Sequence, residues 1–195
     1  MNQHTDQYYI DKVLEGDANA FRELIERYRD FIYTVVLRIV KKKEDAEEVA
    51  QDAFIKAYQS LAEFKGESKF STWLYSIAYR KALDRLRKLN RSKTIELHDD
   101  RTQYDVVQIE NALGFMMAEE RRKVVRQCLE KLPEQDAALM TFFYFEELSI
   151  KEIAGLTKLT EDNIKVKLHR GRKKMFQMLE RFVSPEISNN NGKAI

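Results

Sequence analysis

The chain has 195 residues, 44% hydrophobic and 34% charged, with a formal net charge of +2, a composition that suits one or two packed domains with solvated surfaces. A single cysteine excludes an intrachain disulfide, and one cysteine with three histidines offers no Cys/His pattern of zinc spacing. Six glycines and two prolines are too few to punctuate a many-stranded β fold, no apolar run is long enough to span a membrane, and residues 1–15 lack the basic start and apolar stretch of a secretory signal, so a cytoplasmic protein with no membrane insertion is expected.

Helical spacing of apolar residues dominates. Phe21, Leu24, Ile25, Tyr28, Phe31, Ile32, Val35 and Ile39 repeat every three or four positions after Asp17, an N-cap candidate. The basic turn Lys41–Lys43 separates that helix from a second, with Ala46, Val49, Ala50, Ala53, Phe54, Ala57 and Leu61 on one face and Glu44, Glu48, Gln51 and Asp52 on the polar face. A short loop, Phe64 to Phe70, mixes aromatics with cations and polar groups. A third helix is expected from about Ser71 to Leu89, burying Leu74, Ile77, Ala78, Ala82 and Leu86. These elements predict one helical domain over residues 7–92.

Residues 93–118 are polar and acidic, with poor periodicity, and read as a flexible linker that ends in a helical turn near Leu113–Met117. Helical rhythm returns at Val124, Val125, Cys128 and Leu129, with Cys128 expected in the core, and a second domain is predicted over 119–183. Within it, Ser149 and Glu152 form a capping box, and Leu148 and Ile153 stand where a hydrophobic staple would sit. The short helix so started runs to Leu156. Thr160 is the N-cap candidate of the next, with Glu161 and Asp162 in its first turn. On that helix Ile164, Leu168, Gly171, Met175, Met178 and Phe182 form one stripe, opposite Lys165, Lys167, Arg170, Arg172, Lys173 and Lys174. A short helix, a tight turn and a longer basic helix predict a helix-turn-helix that enters the DNA major groove. Asn163 and Lys165 are placed to reach base edges, and Lys167, Arg170, Arg172 and Lys173 to hold DNA backbone. The turn holds Lys158 where glycine would be easiest, which implies a left-handed lysine. The tail 184–195 is expected to be disordered.

Charge is distributed unevenly: net +2 over 1–92, −3 over 93–118 and +3 over 119–195. Arg80 to Arg91 holds six basic residues and one acid, and Lys165 to Lys174 six and none. Such clusters fit either nucleic-acid contact or solvated helix faces. In the first domain Phe64, Lys65, Ser68, Phe70, Trp73, Tyr75 and Tyr79 precede Arg80, Lys81, Arg85, Arg87 and Lys88. Aromatics beside cations are what single-stranded DNA requires, since bases stack on rings and phosphates pair with charge. The same aromatics, Trp73 above all, fit a core equally well.

Three segments resemble a known family. Asp45-Ala46-Glu47-Glu48-Val49-Ala50-Gln51-Asp52-Ala53-Phe54 resembles the polymerase-binding helix of region 2 in sigma-70 factors, and Phe70 to Arg87 their −10-reading and melting segment. Leu132-Pro133-Glu134 and the helix-turn-helix, ending in Lys167 to Lys174, resemble region 4. Their order and the acidic linker match the extracytoplasmic-function (ECF) subgroup. Lys158 in place of the usual turn glycine and Thr160 in place of a common proline are departures that bear on −35 recognition.

The resemblance implies an all-α, two-domain, non-enzymatic factor without cofactor, metal or catalytic residue. It implies docking of Asp45, Glu48, Gln51 and Asp52 on the clamp helices of the polymerase largest subunit, and of the C-terminal domain on the flap. Phe64, Lys65, Ser68, Phe70, Trp73, Tyr75, Tyr79, Arg80, Lys81, Arg85, Arg87 and Lys88 would engage the melted −10 element, and Asn163, Lys165, Lys167, Arg170, Arg172 and Lys173 the duplex −35 element. An anti-sigma partner, a monomeric state in the holoenzyme and nucleoid association when active are also implied. The alternatives are an autonomous helix-turn-helix regulator, for which no dimerisation heptad is present, and a metal-dependent nuclease on Asp45, Glu48 and Asp52, for which no further acid or histidine completes a two-metal site.

Overall fold

A computed structural model describes residues 4–89 and 117–190, with side chains to 180. Nearly all of the expected linker, residues 93–116, lies outside the described residues. Those described are helical, without strands. The elements are α1 (Asp6–Leu14), α2 (Phe21–Val40), α3 (Lys43–Gln59), α4 (Phe70–Leu89), α5 (Ala118–Glu130), α6 (Glu134–Tyr144), α7 (Ile150–Thr157) and α8 (Glu161–Asn190).

Side-chain caps open some of these elements, whereas α2, α3, α5 and α6 start without one. The Thr5 hydroxyl accepts from the Tyr8 N–H at 3.4 Å to open α1. Asp17 caps the 3₁₀ turn Ala18–Ala20, which runs straight into α2, so the expected cap works one short element upstream. Lys41 closes α2 in a left-handed conformation (φ 66°), and its N–H reaches the Leu37 carbonyl at 2.9 Å. α1 is latched to α2 by the Asp6 carboxylate, which accepts from Arg27 and, at 2.5 Å, from the Tyr28 hydroxyl.

α2, α3 and α4 form the first layer, around Leu24, Ile32, Val36, Ile39, Ala46, Ala53, Leu74 and Ala78, all buried. Each large aliphatic side chain sequestered there contributes about 1.5–3 kcal/mol relative to exposure. In the second half, α8 runs against α5, α6 and α7. Gly171 lets α8 pack closely on α6, because a Cβ there would stand 3.1 Å from Cγ and Sδ of Met140.

The halves are not separate bodies. α2 packs on α6 and α4 on α7, and one continuous hydrophobic cluster crosses the seam. Phe142 of α6, fully buried, stands 6.1 Å from Tyr75 and 6.1 Å from Tyr79 of α4 and 6.5 Å from Phe31 of α2, ring centre to ring centre. The Tyr75 hydroxyl donates to Glu146 at 2.6 Å, and Arg38 donates to the Thr141 hydroxyl. The Lys41 ammonium donates to the carbonyls of Glu130 (2.7 Å) and Leu132 (3.2 Å), at the C-terminal end of α5 where the helix dipole favours a cation.

One boundary differs from expectation. α8 continues past Ser184 to Asn190, where a disordered tail was predicted. Extending an established helix adds a hydrogen bond for each residue fixed except proline, so α8 carries on past Pro185 with one bond lost, and no glycine follows Gly171 until Gly192.

Candidate nucleic-acid interface

The helix-turn-helix forms as its residues dictate. Glu152 N–H donates to Ser149 Oγ at 3.2 Å while Ser149 N–H donates to the Glu152 carboxylate at 2.9 Å, which closes the capping box. The Ser149 hydroxyl also donates to that carboxylate at 2.7 Å, and this bond, then the Ser149 N–H, hold the Glu152 carboxyl below its usual range. Lys158 makes the turn in the left-handed region (φ 63°, ψ 20°), and Thr160 then accepts from the Asn163 N–H at 3.3 Å to open α8. Ile164, Leu168 and Gly171 face inward, buried as expected.

On the outer face Asn163, Lys165, Arg170 and Arg172 are exposed, and Lys167 and Lys173 half-buried. Lys165 and Lys167 have acid partners, and the partner of Lys167 lies on another helix, where a count along α8 misses it. Lys165 pairs with Asp162 at 3.1 Å, and Lys167 lies 3.6 Å from Asp136 on α6. Arg172 donates to the Tyr144 hydroxyl at 3.1 Å, and Arg170 carries no ion pair among the described residues. Val166, 49% exposed, joins Asn163, Lys167 and Arg170 on one face, a residue the search for cations passed over.

In the first half, the acids of α3 and the cations of α4 face one another. Asp45 is buried, accepts from Arg85 Nε at 3.0 Å, and also accepts from its Nη2. The same guanidinium lies 3.1 Å from Glu48, and Lys81 lies 3.3 Å from Asp52. Glu48, Gln51 and Asp52 remain exposed, whereas Asp45 is neutralised inside the protein. The three acids that a nuclease would need are thus turned to Arg85 and Lys81. Arg80 donates to the Ser76 hydroxyl at 3.0 Å, Arg87 pairs with Asp84 at 3.0 Å, and Lys88 is exposed.

The aromatics divide sharply. Phe64, Phe70 and Trp73 form a cluster with ring centres 5.2–5.8 Å apart; Phe70 is buried and the other two half-buried. Above it the tip Lys65–Lys69 is exposed and turns on Gly66, whose φ of 70° suits glycine. Tyr75 and Tyr79 are not surface residues. They are 2% and 1% exposed, sealed in the seam against Phe142. Burial raises the pKa of both hydroxyls, that of Tyr79 to about 12. Their spacing after Trp73 suited base contact, but the fourfold step from Tyr75 to Tyr79 also sets both on the inner face of α4.

Comparison with known proteins places the molecule among DNA-binding transcription proteins built from two helical regions. The family model for sigma-70 region 2 matches residues 24–92, and that for sigma-70 region 4 matches residues 122–175. The ECF RNA polymerase sigma factor SigW of Bacillus subtilis is 31% identical over 176 residues, covering 87% of this chain and 94% of the relative. The ECF sigma-E factor of Escherichia coli K12 is 34% identical, covering 87% and 92%, and the sigma-H factor of Pseudomonas aeruginosa 32%, covering 92% and 96%. Two solved structures share the fold. CnrH in complex with the cytosolic domain of CnrY has a TM-score of 0.62 at 20% identity, covering 90% of this chain and 97% of that one. The sigma factor RpoE of Bartonella quintana, in complex with the anti-sigma factor NepR, has a TM-score of 0.61 at 16% identity, covering 82% and 96%. The chain belongs to the sigma-70 family, in its ECF branch. It is a sigma factor that directs promoter-specific transcription, an initiation factor and not an enzyme.

Proposed function

We propose that promoter reading is divided between the outer face of α8 and the Phe64–Trp73 cluster with the exposed cations near it. The observation that carries this is the α8 face itself: Asn163, Val166 and Arg170 are exposed in succession from the start of the second helix of a helix-turn-helix. Asn163 suits the paired donor and acceptor of adenine, and the Val166 side chain suits a thymine methyl. Arg170 and Arg172 hold the flanking phosphates of the −35 element, with Lys165, Lys167 and Lys173 beside them. At the −10 element the exposed loop tip, with Lys65 and Ser68, engages an unstacked base over Phe64, Phe70 and Trp73, and Arg80, Arg87 and Lys88 hold phosphates. Tyr75, Tyr79, Lys81 and Arg85 join that surface only after the seam and the α3–α4 ion pairs rearrange.

Glu48, Gln51 and Asp52 dock on basic residues of the clamp helices of the polymerase largest subunit, with Asp45 shaping that face from beneath, and the C-terminal half docks on the flap. The factor works as a monomer in the cytoplasm, within the nucleoid when active. An anti-sigma partner covers these surfaces at rest, in keeping with the RpoE–NepR assembly of one structural neighbour. Among the described residues no helix is long and apolar enough to cross a membrane.

Binding of the holoenzyme to a cognate promoter across a salt series tests the proposal. Asn163→Ala should cost about 1–3 kcal/mol at one base pair, and Arg170→Ala should weaken all sequences alike and lower the salt slope by about 1. An unchanged slope in Arg170→Ala, with Asn163→Ala equally indifferent to sequence, would remove α8 from the DNA.

A further inference from the structure

A cavity of about 320 Å³ opens at the seam between the halves, lined by Arg38 of α2, by α5 and by Phe145 after α6. Its floor is apolar, made by Val125, Leu129 and Phe145, and arginines form its walls. Arg38 and Arg126 also line an adjoining cavity of about 590 Å³, which carries Lys41, Lys43 and one acid, Glu130. Among the described residues no carboxylate lines the first cavity. Among the described residues neither Arg122 nor Arg126 sits in an ion pair, and Arg38 donates to the Thr141 hydroxyl, lies 5.2 Å from the centre of the Phe145 ring and feels the charge of Glu130.

Arg38 is half-buried and Arg122 and Arg126 are exposed at the cavity mouth, and cations drawn together in this way repel one another unless an anion joins them. Burial, and then the charge of Arg126, push the Arg38 guanidinium down to about 10, and the attraction of Glu130 offsets them only in part. Lys41 is pushed down as well, by burial first. The planar guanidinium forks suit phosphate oxygens, and a floor of Val125, Leu129 and Phe145 suits the organic part of the same molecule.

We propose that this cavity is a binding site for a small organic phosphate, its phosphates held by Arg38, Arg122 and Arg126 and its apolar or ring portion laid on Leu129 and Phe145. The site draws on both halves, so an occupant binds their docked arrangement and is released as they part. The inference rests on the seam geometry and is independent of the promoter reading.

Calorimetric titration of the full chain with ADP and with sodium pyrophosphate, without divalent cations, tests it. ADP should bind about ten times more tightly than pyrophosphate, because only ADP uses the floor. Arg122→Gln and Arg126→Gln, both at exposed positions that the fold does not need, should each weaken both probes about ten-fold. Phe145→Ala should weaken ADP alone. Arg22→Gln should change nothing, since Arg22 lies 16 residues before Arg38 on α2, roughly 24 Å away. Absence of binding by both probes at about 1 mM overturns the assignment. So does an Arg22→Gln loss equal to that of Arg126→Gln, which would mark mere attraction to positive charge, and so does equal affinity for the two probes, which would mark a site for inorganic anions.

Discussion

Phe142→Ala tests the seam. The ring is fully buried, and truncating such a phenylalanine costs about 3–5 kcal/mol, of which part belongs to the second half's own core. The remainder crosses the seam to Tyr75, Tyr79 and Phe31, and an aromatic pair contributes about 0.5–1.5 kcal/mol beyond its burial. The most parallel pair is Tyr75–Phe142, at an interplanar angle of 22°, so a double-mutant cycle of Phe142→Ala with Tyr75→Ala isolates the contact between halves. Urea denaturation followed by circular dichroism should give a total loss near 4 kcal/mol for Phe142→Ala and a coupling of about 1 kcal/mol. A coupling below about 0.3 kcal/mol would refute the reasoning, because residues that do not touch are additive to that limit.

Lys158→Gly should stabilise the chain by about 0.5–1 kcal/mol, measured by the same denaturation, since lysine holds a left-handed turn that costs a side-chain-bearing residue about 1–2 kcal/mol and glycine gives part of that back as unfolded-state entropy. Ser149→Ala should lose about 1 kcal/mol through the cap of α7. It should also flatten an acid limb of the stability curve. The Glu152 carboxyl lies below its unfolded value of 4.5, so its contribution is full above that pH and lost as pH falls through the folded value. A wild-type limb that Ser149→Ala leaves unchanged would contradict this origin.

Local chemistry was legible in the sequence because it is written in neighbouring residues. The Ser149–Glu152 box, the Thr160 cap, the left-handed Lys158 and the inward Ile164, Leu168 and Gly171 each depend on positions within one or two turns. What lay hidden depends on residues far apart in the chain. Asp45 and Arg85 are 40 residues apart, and Asp136 and Lys167 pair between α6 and α8, so a count of charge along one helix could not show which cations are already satisfied. Tyr75 and Tyr79 were the sharpest case. An aromatic beside arginines reads as a base-stacking platform, yet the same rings meet Phe142 from the other half, and only packing decides between the two. The length of α8 was hidden for another reason, since Pro185 reads as a helix stop, lacking an N–H to donate, while propagation of a helix already formed carries on beyond it.

We propose that this sigma factor joins core RNA polymerase through the exposed acids of α3. The most direct test is the affinity of the purified chain for cognate core enzyme, with Glu48→Lys and Asp52→Lys beside the wild type and circular dichroism to show that each is folded. The account predicts tight binding by the wild type and binding at least about ten-fold weaker for each reversal, because an opposite charge becomes a like one at the contact. Failure of the folded wild-type chain to bind cognate core would contradict it, and so would folded reversals that bind as tightly as the wild type.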